Sequence, residues 1–446
     1  QLVRDIDASG TAGWNSGAGF TPLGDGVSGF TGFLRGLGRS ISGLTMHQSR
    51  YYVGLFGRIG VGGKVHELAL ENVSAYGDGH RYIGGLAGKN EGEILKVSVN
   101  GAFTVSGGLT GMMVGGLVGG NAGTGSIKLA TSRAFVTGGD KVGGLVGLNE
   151  GLIDQAVAAY GKVTGSNAET TGGLVGAGDS SKVTRSYYDP YNSGVDRSAG
   201  GTAGKVPRMV LDPGTGELAL DPEFELEDAP DLMKYETYSG WDNFFGTFVM
   251  DEGWSLPEFR FHFPEGVRAV WGTVYEDALT NPLIGLTVGL YRNELSAGNE
   301  LDMTKTGEKG AYYFVMGKDA VLAQDQMIAN VTGRLGEQDY TGSASMTAGS
   351  GSVPGLNIEA FTNYAIVNAY YPQYVHIPVN IEVNVFQRDM ISSALNAITD
   401  VVTQVGTAVS QSFGGKASDV VIVDQTESQG GDLNFSDLID GISTPP

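Results

Sequence analysis

A short pattern of glycine and apolar residues returns five times along the first half of the chain. Its Gly-Leu pairs begin at residues 54, 85, 116, 144 and 173, so the spacings are 31, 31, 28 and 29 residues. The repeated residues are Gly54, Leu55, Gly85, Leu86, Gly116, Leu117, Gly144, Leu145, Gly173 and Leu174. A period between about 20 and 50 residues is typical of proteins built from stacked structural repeats.

Apolar and polar residues alternate between these repeats. Residues 97–99, 102–105 and 134–136 have the two-residue period of a strand with one buried face. One repeat cannot bury an apolar face alone, so we expect the repeats to stack and their leucines to form an interior ladder. Glycine permits the tight corners that such coils need. The pattern predicts an all-β fold with a parallel β-helix, or β-solenoid, over residues 1–200; a propeller or a sandwich is the alternative.

The pattern changes after residue 200. Residues 201–265 comprise an acidic excursion and then an aromatic segment, which we interpret as the exit and cap of the solenoid. The acidic residues 212–231 lack the spacing of an EF-hand or of a calcium-binding nonapeptide, so a solvated loop is favoured over a calcium site. The aromatic residues are Tyr238, Trp241, Phe244, Phe245, Phe248, Trp254, Phe259, Phe261 and Phe263. We predict that they close the solenoid end, which would otherwise expose core and strand edges; a carbohydrate platform is the alternative.

The remaining chain divides by its periodicity. Residues 266–361 contain short apolar runs separated by turns at the intervals of a β-sandwich, and residues 362–387 alternate as further strands. Over residues 388–413 the apolar positions are spaced by three and four, which predicts an amphipathic helix that docks on a neighbour or forms a coiled coil. Residues 414–446 form a polar, acidic tail that we expect to be partly disordered.

Charge and composition exclude several functions. The formal net charge is −21, with 28 Lys and Arg against 49 Asp and Glu, which argues against binding to nucleic acid or to an anionic membrane surface. The chain has no cysteine, so disulfides, thiolate nucleophiles and cysteine-ligated metals are excluded. No signal peptide and no run of about 18 apolar residues is visible, so we expect a fragment or mature form that is not an integral membrane protein.

The sequence offers little catalytic chemistry. The five histidines, His47, His66, His80, His262 and His376, do not have the four-residue spacing of a zinc site. Neither a Gly-x-Ser-x-Gly elbow nor a phosphate-binding loop occurs. We therefore expect no catalytic residues, no metal and no cofactor.

The repeats also resemble a known motif. Residues 84–94, 115–127 and 143–153 are similar to the GLUG motif of bacterial surface proteins. Residues before residue 50 are similar to the lead-in of filamentous-haemagglutinin-like exoproteins, and residues 186–189 and 254–257 to their exit phrase. The resemblance covers about residues 1–260. It implies a parallel β-helix within a longer secreted adhesin, often exported by two-partner secretion through an outer-membrane transporter.

A second resemblance concerns the predicted sandwich. Residues 272–274, 282–288 and 306–314 are similar to the prealbumin-like, carboxypeptidase-regulatory type of β-sandwich. Such modules usually act as spacers or stalk units, and the resemblance brings no catalytic residues with it.

These observations favour a non-enzymatic adhesin segment at the bacterial cell surface or in the extracellular space. It would be a rigid rod that attaches to a glycan or a matrix protein. The candidate binding residues are Tyr187, Tyr188 and Tyr191, which cluster near the exit of the solenoid and which we expect outside the core.

Two alternatives remain. Parallel β-helices also host polysaccharide lyases and glycosidases, which need paired carboxylates or a base. Glu91 and Glu150 occupy equivalent turns, but Ala122 fills that place in the repeat between them, so two coils, roughly 10 Å, would separate them. The second alternative is a structural stalk without a ligand.

Overall fold

Two units make up the chain, Gln1–Ala360 and Phe361–Pro446, and each is described by itself. The computed structural model describes residues 1–24, 29–77, 82–100, 104–107, 112–204, 209–211, 218–220, 230–276, 281–296, 298–320, 322–336, 338–349, 351–353, 355–360, 365–370, 376–381 and 420–423.

The repeats wind into coils of four strands. A short β1 (Ile6–Asp7) and a 3₁₀ segment (Ser9–Gly17) precede them. The first coil is β2 (Phe33–Ser42), β3 (Thr45–Gln48), β4 (Tyr52–Val53) and β5 (Phe56–Ile59). The second is β6 (Lys64–Glu71), β7 (Ser74–Gly77), β8 (Tyr82–Gly84) and β9 (Ala87–Asn90). The third is β10 (Glu93–Asn100), β11 (Thr104–Gly107), β12 (Met113–Gly115) and β13 (Val118–Asn121).

The later coils keep this plan. The fourth is β14 (Ser126–Ser132), β15 (Phe135–Gly138), β16 (Lys141–Gly143), β17 (Val146–Asn149), and the fifth is β18 (Leu152–Ala158), β19 (Val163–Gly165), β20 (Thr171–Gly172), β21 (Val175–Gly178). A closing partial coil contains β22 (Val183–Thr184), β23 (Tyr187–Tyr188), the short helix α1 (Pro190–Ser193) and β24 (Thr202–Ala203). Two 3₁₀ turns lie at Ala168–Thr170 and Ser180–Lys182.

Equivalent strands of successive coils pair in parallel and form four sheets. Sheet 1 has the order β1-β2-β6-β10-β14-β18-β23-β24, with β22 also paired to β18. Sheet 2 is β3-β7-β11-β15-β19, sheet 3 is β4-β8-β12-β16-β20, and sheet 4 is β5-β9-β13-β17-β21. The predicted parallel β-helix is confirmed, with about five turns.

The repeated leucines form the predicted interior ladder. Leu86, Leu117, Leu145 and Leu174 are completely buried, and Leu55 is 5% exposed. The backbone N–H groups of the first four leucines donate to the next coil; the Leu145 N–H, for example, lies 2.9 Å from the Leu174 carbonyl oxygen. The coils approach closely beside this ladder, because a Cβ on Gly116 would lie 2.3 Å from the carbonyl oxygen of Gly144. The repeat therefore needs its glycine for the close contact between coils.

A second ladder, of asparagine, runs through the corner between sheets 4 and 1. Asn90, Asn121 and Asn149 are at most 1% exposed. The Asn90 side-chain amide donates to the Asn121 side-chain oxygen at 2.8 Å, and Asn121 donates likewise to Asn149 at 2.9 Å. Asn149 Nδ2 ends the column by donating to the Gly151 carbonyl oxygen at 2.9 Å. Because an amide both donates and accepts, the same residue type can satisfy itself coil after coil.

A column of left-handed residues crosses sheet 1. It consists of Leu37, Glu67, Lys96, Leu129, Gln155 and Arg185, whose φ angles lie between 45° and 59°. In the third coil, Ile94 and Val97 both lie in the buried core although they are three residues apart. The left-handed residue Lys96 between them corrects the two-residue phase of the strand, as a bulge does.

A β-sandwich follows, as predicted. One sheet has the order β32-β29-β35 and the other β31-β30-β33-β34. The strands are β29 (Val267–Tyr275), β30 (Thr287–Arg292), β31 (Glu300–Lys305), β32 (Ala311–Gly317), β33 (Gln326–Leu335), β34 (Gln338–Thr347) and β35 (Ile358–Glu359), with 3₁₀ turns at Glu308–Gly310 and Lys318–Ala320. Buried residues of both sheets, such as Val270, Phe314, Leu290 and Val331, form one core.

The aromatic segment lies between the solenoid and the sandwich. It contains a 3₁₀ turn (Tyr235–Tyr238), α2 (Phe244–Thr247), and the antiparallel pair β27 (Phe248–Val249) and β28 (Glu258–Phe259). Its buried rings pack on outward residues of sheet 1 from the third, fourth and fifth coils, namely Leu95, Leu129 and Val157. The segment covers the side of the solenoid, which corrects the prediction that it closes the end. The reason is that the outer face of sheet 1 is itself apolar here and needs cover.

The aromatic segment does not bury all nine predicted rings. Phe245 is 63% exposed and Trp254 is 42% exposed. On the far side, Ala269, Trp271 and Tyr313 of the sandwich join the same cluster. The sheet with β29 and β32 is therefore apolar on both faces, one toward the sandwich core and one toward the solenoid.

Several predictions concern other parts of the chain. β25 (Met209–Leu211) and β26 (Leu218–Leu220) form an antiparallel pair within the acidic excursion, whose residues 212–217 and 221–229 lie outside the described residues. In the second unit, β36 (Ala365–Tyr370) pairs with β37 (His376–Ile381) and β38 (Val420–Val423). The predicted helix over residues 388–413 lies outside the described residues. Within the predicted acidic tail, residues 420–423 form a strand.

We expect Asn121→Ala to lower the free energy of unfolding by about 2–4 kcal/mol, because it leaves the amide of Asn90 and the side-chain oxygen of Asn149 buried with a partner missing. Urea denaturation followed by circular dichroism measures this. Asn299→Ala is the matched control, since its side-chain bond to Ser296 is exposed to solvent. Equal stabilities of the two variants would contradict a structural role of the ladder.

Candidate functional site

The three predicted binding tyrosines do not form one exposed surface. Tyr188 is 5% exposed and belongs to the solenoid core, so the expectation that it lies outside the core is corrected. Its ring fills the space beside Gly173, where a Cβ would lie 2.3 Å from the ring, and its hydroxyl donates to the Asp196 carbonyl oxygen at 3.0 Å. Burial raises the pKa of Tyr188. The Tyr188 ring therefore packs inside the solenoid, against the fifth coil.

The other two predicted residues face the neighbouring modules. Tyr187 is half-buried, its hydroxyl donates to the Thr237 carbonyl oxygen at 2.8 Å, and its ring lies 6.5 Å from that of Trp241. Tyr191 is half-buried on α1, with the Lys309 ammonium 5.9 Å from its ring centroid. Both have neighbours within the unit, and their role in ligand binding stays a prediction.

One buried and one partly exposed ion pair join the side of the solenoid to the aromatic segment and the sandwich. Arg133 is 7% exposed and Glu258 is 1% exposed, and the guanidinium donates to the carboxylate. The same guanidinium lies 5.3 Å from the ring centroid of Tyr313. A second, more exposed pair joins Lys162 of the fifth coil to Glu308 of the sandwich at 2.6 Å. Burial raises the pKa of Glu258, and the charge of Arg133 opposes this shift.

A cavity of about 250 Å³ lies beside Arg133. Glu71, Asn100 and Arg133 line it from successive coils, and His262 and Asp302 line it from the other side. His262 Nε2 lies 3.0 Å from a Glu71 oxygen. Asn100 is 7% exposed, and its side-chain oxygen has no hydrogen-bond partner in the part of the chain that the structure describes. The cavity is therefore polar and has room for water.

Asp302 and His262 at this cavity both have raised pKa values. Burial raises the pKa of Asp302 to about 6, and the negative charge of Glu71 adds to the shift. Burial disfavours the charged form of His262, but its hydrogen bond to Glu71 and the charges of Glu71 and Glu258 outweigh burial and raise the pKa of His262. Acidic and basic groups thus neutralise one another, so the cavity presents no strong net charge to a ligand.

The carboxylates considered for catalysis are in the predicted register. The backbone N–H groups of Ala122 and Glu150 donate to the carbonyl oxygens of Asn90 and Asn121, so Glu91, Ala122 and Glu150 follow one another in successive coils. The Glu91 carboxylate contacts Lys89 at 2.9 Å and the Arg58 Nε at 2.7 Å. Although partial burial raises the pKa of Glu91, these two cations outweigh it and lower the pKa. A general acid for sugar cleavage needs the opposite shift.

Among the described residues, no group of three or more His, Cys, Asp or Glu side chains is arranged to hold a metal ion. Likewise, no helix in the described ranges has both the length and the apolar character needed to cross a membrane.

Sequence reasoning missed a cluster of tyrosines on the outside of the solenoid. Tyr52 and Tyr82 are register partners in sheet 3, and Tyr51 precedes Tyr52 in the chain. Ring centroids are 4.8 Å apart for Tyr51 and Tyr52, 5.8 Å for Tyr51 and Tyr82, and 5.5 Å for Tyr52 and Tyr82. We call these three residues the outer tyrosine cluster. The available signal was that Tyr52 and Tyr82 are separated by about one repeat.

Comparison with known proteins gives two partial matches. The chain is 37% identical over 246 residues to halomucin of Haloquadratum walsbyi, a match that covers 47% of the chain and 3% of halomucin. It is 38% identical over 101 residues to a Gly-rich membrane protein of Evansella cellulosilytica, covering 22% of the chain and 12% of that protein. The chain thus spans a small part of either relative. No family model matches it, and no solved structure matches it.

The fold and these relatives agree at a coarse level. The names of the relatives refer to a mucin and to a membrane protein. Both names, together with the solenoid, are compatible with a structural or adhesin-like protein at the cell surface.

We expect Glu258→Ala to cost about 3–5 kcal/mol of unfolding free energy, because it leaves the buried Arg133 guanidinium without its counter-charge. Chemical denaturation measures the loss. The control is Asp339→Ala, which breaks an exposed pair with Arg334 at 3.9 Å and is expected to cost at most about 1 kcal/mol. Equal losses would contradict a structural role for the buried pair. The double variant Arg133→Met with Glu258→Leu is expected to recover most of the loss, since it removes both charges.

A second prediction concerns pH. The folded state holds the Asp302 proton more tightly than the unfolded chain, so this group's contribution to stability is present below about pH 4 and is lost as the pH rises toward about 6. Asp302→Asn is therefore expected to stabilise the protein by about 1–3 kcal/mol at pH 7.5 and to have little effect at pH 3.5. Thermal unfolding across this range tests it, with the exposed Asp319→Asn as control. A pH-independent effect would contradict the assignment.

Proposed function

We propose that the chain is a rigid, non-catalytic segment of a secreted or cell-surface adhesin. The observation that carries the proposal is the solenoid itself, in which buried leucine and asparagine ladders hold about five coils in one register. Stacked repeats of this kind present extended outer surfaces on which many weak contacts can add by avidity.

Three further observations support an extracellular attachment role. Residues 1–260 resemble GLUG-repeat, filamentous-haemagglutinin-like exoproteins, in which such a segment belongs to a longer secreted chain. The relatives include halomucin and a Gly-rich membrane protein. The chain has no cysteine, so its folding does not depend on the redox state of its compartment. The proposal includes an extracellular location and export through an outer-membrane transporter, as the resemblance implies.

We propose that the segment is not an enzyme because of the surroundings and the separation of the two candidate carboxylates. Glu91 is held by two cations that keep it ionised, and Glu150 lies two coils away, or roughly 10 Å along the solenoid. A polysaccharide lyase or glycosidase would need a proton donor or base that faces the sugar. No observation favours such a pair over the adhesin.

The proposal is tested by capture of the purified full chain on an array of immobilised glycans and extracellular-matrix proteins, with the supernatants assayed for released sugar. We expect saturable capture without release. Chain clustered by an antibody should be retained at least about tenfold more strongly than monomeric chain, because avidity raises effective affinity. Heat-denatured chain is the control.

The other outcomes identify the alternatives. Release of reducing ends or unsaturated sugars would overturn the non-catalytic assignment and favour the polysaccharide-acting enzyme. An array without capture, even by clustered chain, would overturn the adhesin and favour the stalk.

A further inference from the structure

We propose that the outer tyrosine cluster of Tyr51, Tyr52 and Tyr82 binds a neutral glycan chain. This inference rests on the proposed adhesin function and adds a site and a ligand class to it. The site differs from the one predicted from sequence, because Tyr188 of that prediction is buried.

The first argument is the exposed aromatic surface. Tyr51 is 50% exposed, and Tyr52 and Tyr82 are each half-buried. The planes of Tyr52 and Tyr82 are inclined by only 32°, whereas Tyr51 meets Tyr52 at 76°. The Tyr52 and Tyr82 rings thus face in similar directions, and the Tyr51 ring is tilted against Tyr82 by 48°. The apolar C–H face of a pyranose ring packs on exposed aromatic faces through dispersion and through attraction to the negative face of the aromatic quadrupole.

The second argument is spacing. Tyr52 and Tyr82 are partners in adjacent coils, and the next partner in the same column is Met113. Successive members of this column are one coil, or about 4.8 Å, apart. This distance is close to the length of one sugar unit, so three successive units of an oligosaccharide that runs along the solenoid would meet Tyr52, Tyr82 and Met113, before the column continues with Lys141.

The third argument is the polar group beside the rings. Arg58 and Lys89 are register partners in the adjacent sheet 4, and both contact the Glu91 carboxylate. Lys89 lies beside the rings, because its register partner Gly120 is the residue against which the Tyr82 ring packs. Ion-paired groups of this kind offer hydrogen bonds to sugar hydroxyls without a large local net charge. Arg58, Lys89 and Glu91 leave a local charge of only +1, which attracts a polyanion weakly, and the chain's net charge of −21 disfavours polyanions, so a neutral glycan fits better.

Coil stacking alone accounts for only part of the cluster. The register explains why Tyr52 contacts Tyr82, because side chains of one column always meet. The register does not require an aromatic residue at position 51. Tyr51 lies outside the strand, and half of its surface is exposed to solvent. In addition, the Tyr82 ring lies over Gly120 of the next coil, where a Cβ would come within 2.5 Å of the ring. A glycine there leaves the space that the Tyr82 ring occupies.

The experiment is calorimetric titration of the full chain with three sets of oligosaccharides: neutral hexose, N-acetylhexosamine and uronic acid oligomers. We expect the neutral sets to bind and the uronic acid set to bind at least tenfold more weakly. Tyr51→Ala with Tyr82→Ala should weaken binding of the neutral sugars at least tenfold. The double variant Tyr51→Phe with Tyr82→Phe keeps the rings and should stay within about threefold of the wild type.

Two further variants separate binding from folding. Tyr76→Ala is the matched control, because Tyr76 is 42% exposed on sheet 2 of the same solenoid, and binding should stay within twofold. Gly120→Ala displaces the Tyr82 ring without removing it and should weaken binding several-fold at an unchanged Tm. Should the double alanine variant melt early, Tyr51→Ala alone gives the test, since this exposed residue lies outside the strands.

The outcomes distinguish this inference from the function on which it rests. Equal binding of neutral sugars by the wild type and the alanine variants would overturn the site and leave the adhesin standing. Capture by matrix proteins or by uronic acid oligomers, without binding of neutral sugars, would overturn the ligand class alone. An array without any capture would overturn the adhesin function together with the inference.

Discussion

The constant axial distance between equivalent residues governs this structure. Each side chain of one coil meets its counterpart in the next at about 4.8 Å, so every column must consist of groups that tolerate one another at that distance. Leucine does so by dispersion inside the core, and asparagine does so because its amide donates on one side and accepts on the other. On the outside, Lys64 and Glu93 are register partners of opposite charge. Arg58 and Lys89 are register partners of like charge, and the Glu91 carboxylate that contacts both offsets their repulsion.

This constraint also explains why the solenoid is joined to its neighbours along a side. Sheet 1 carries apolar residues on its outer face in three successive coils, and the aromatic segment and β29–β32 sheet cover them. Alternation within β29 sends Val270 to the sandwich core and Trp271 to the solenoid side. The sandwich is therefore built with two apolar faces, and separation from the solenoid would expose one of them.

The sequence predicted the structural features that the repeat period determines. The spacing of the Gly-Leu pairs gave the coils, the leucine ladder and the relative positions of Glu91 and Glu150, and the alternation after residue 266 gave the sandwich strands. It did not predict which surface the aromatic segment covers, because aromatic composition shows a need for burial but not a partner. The left-handed column was not predicted because its six members comprise five residue types. Tyr188 was predictable in principle, since consecutive residues of a strand point to opposite faces and Tyr187 and Tyr188 cannot both lie outside.

The lateral attachment also changes how the solenoid can unravel. Stacked repeats contact only their neighbours, so an isolated solenoid can fray from an end one coil at a time. Here Glu71, Asn100 and Arg133 of the second, third and fourth coils line one cavity with the sandwich, and Lys162 of the fifth coil pairs with Glu308. The sandwich thus contacts four successive coils and holds them together. Loss of one coil therefore also strains the contacts that the remaining coils share with the sandwich. This coupling turns gradual fraying of the solenoid into cooperative unfolding.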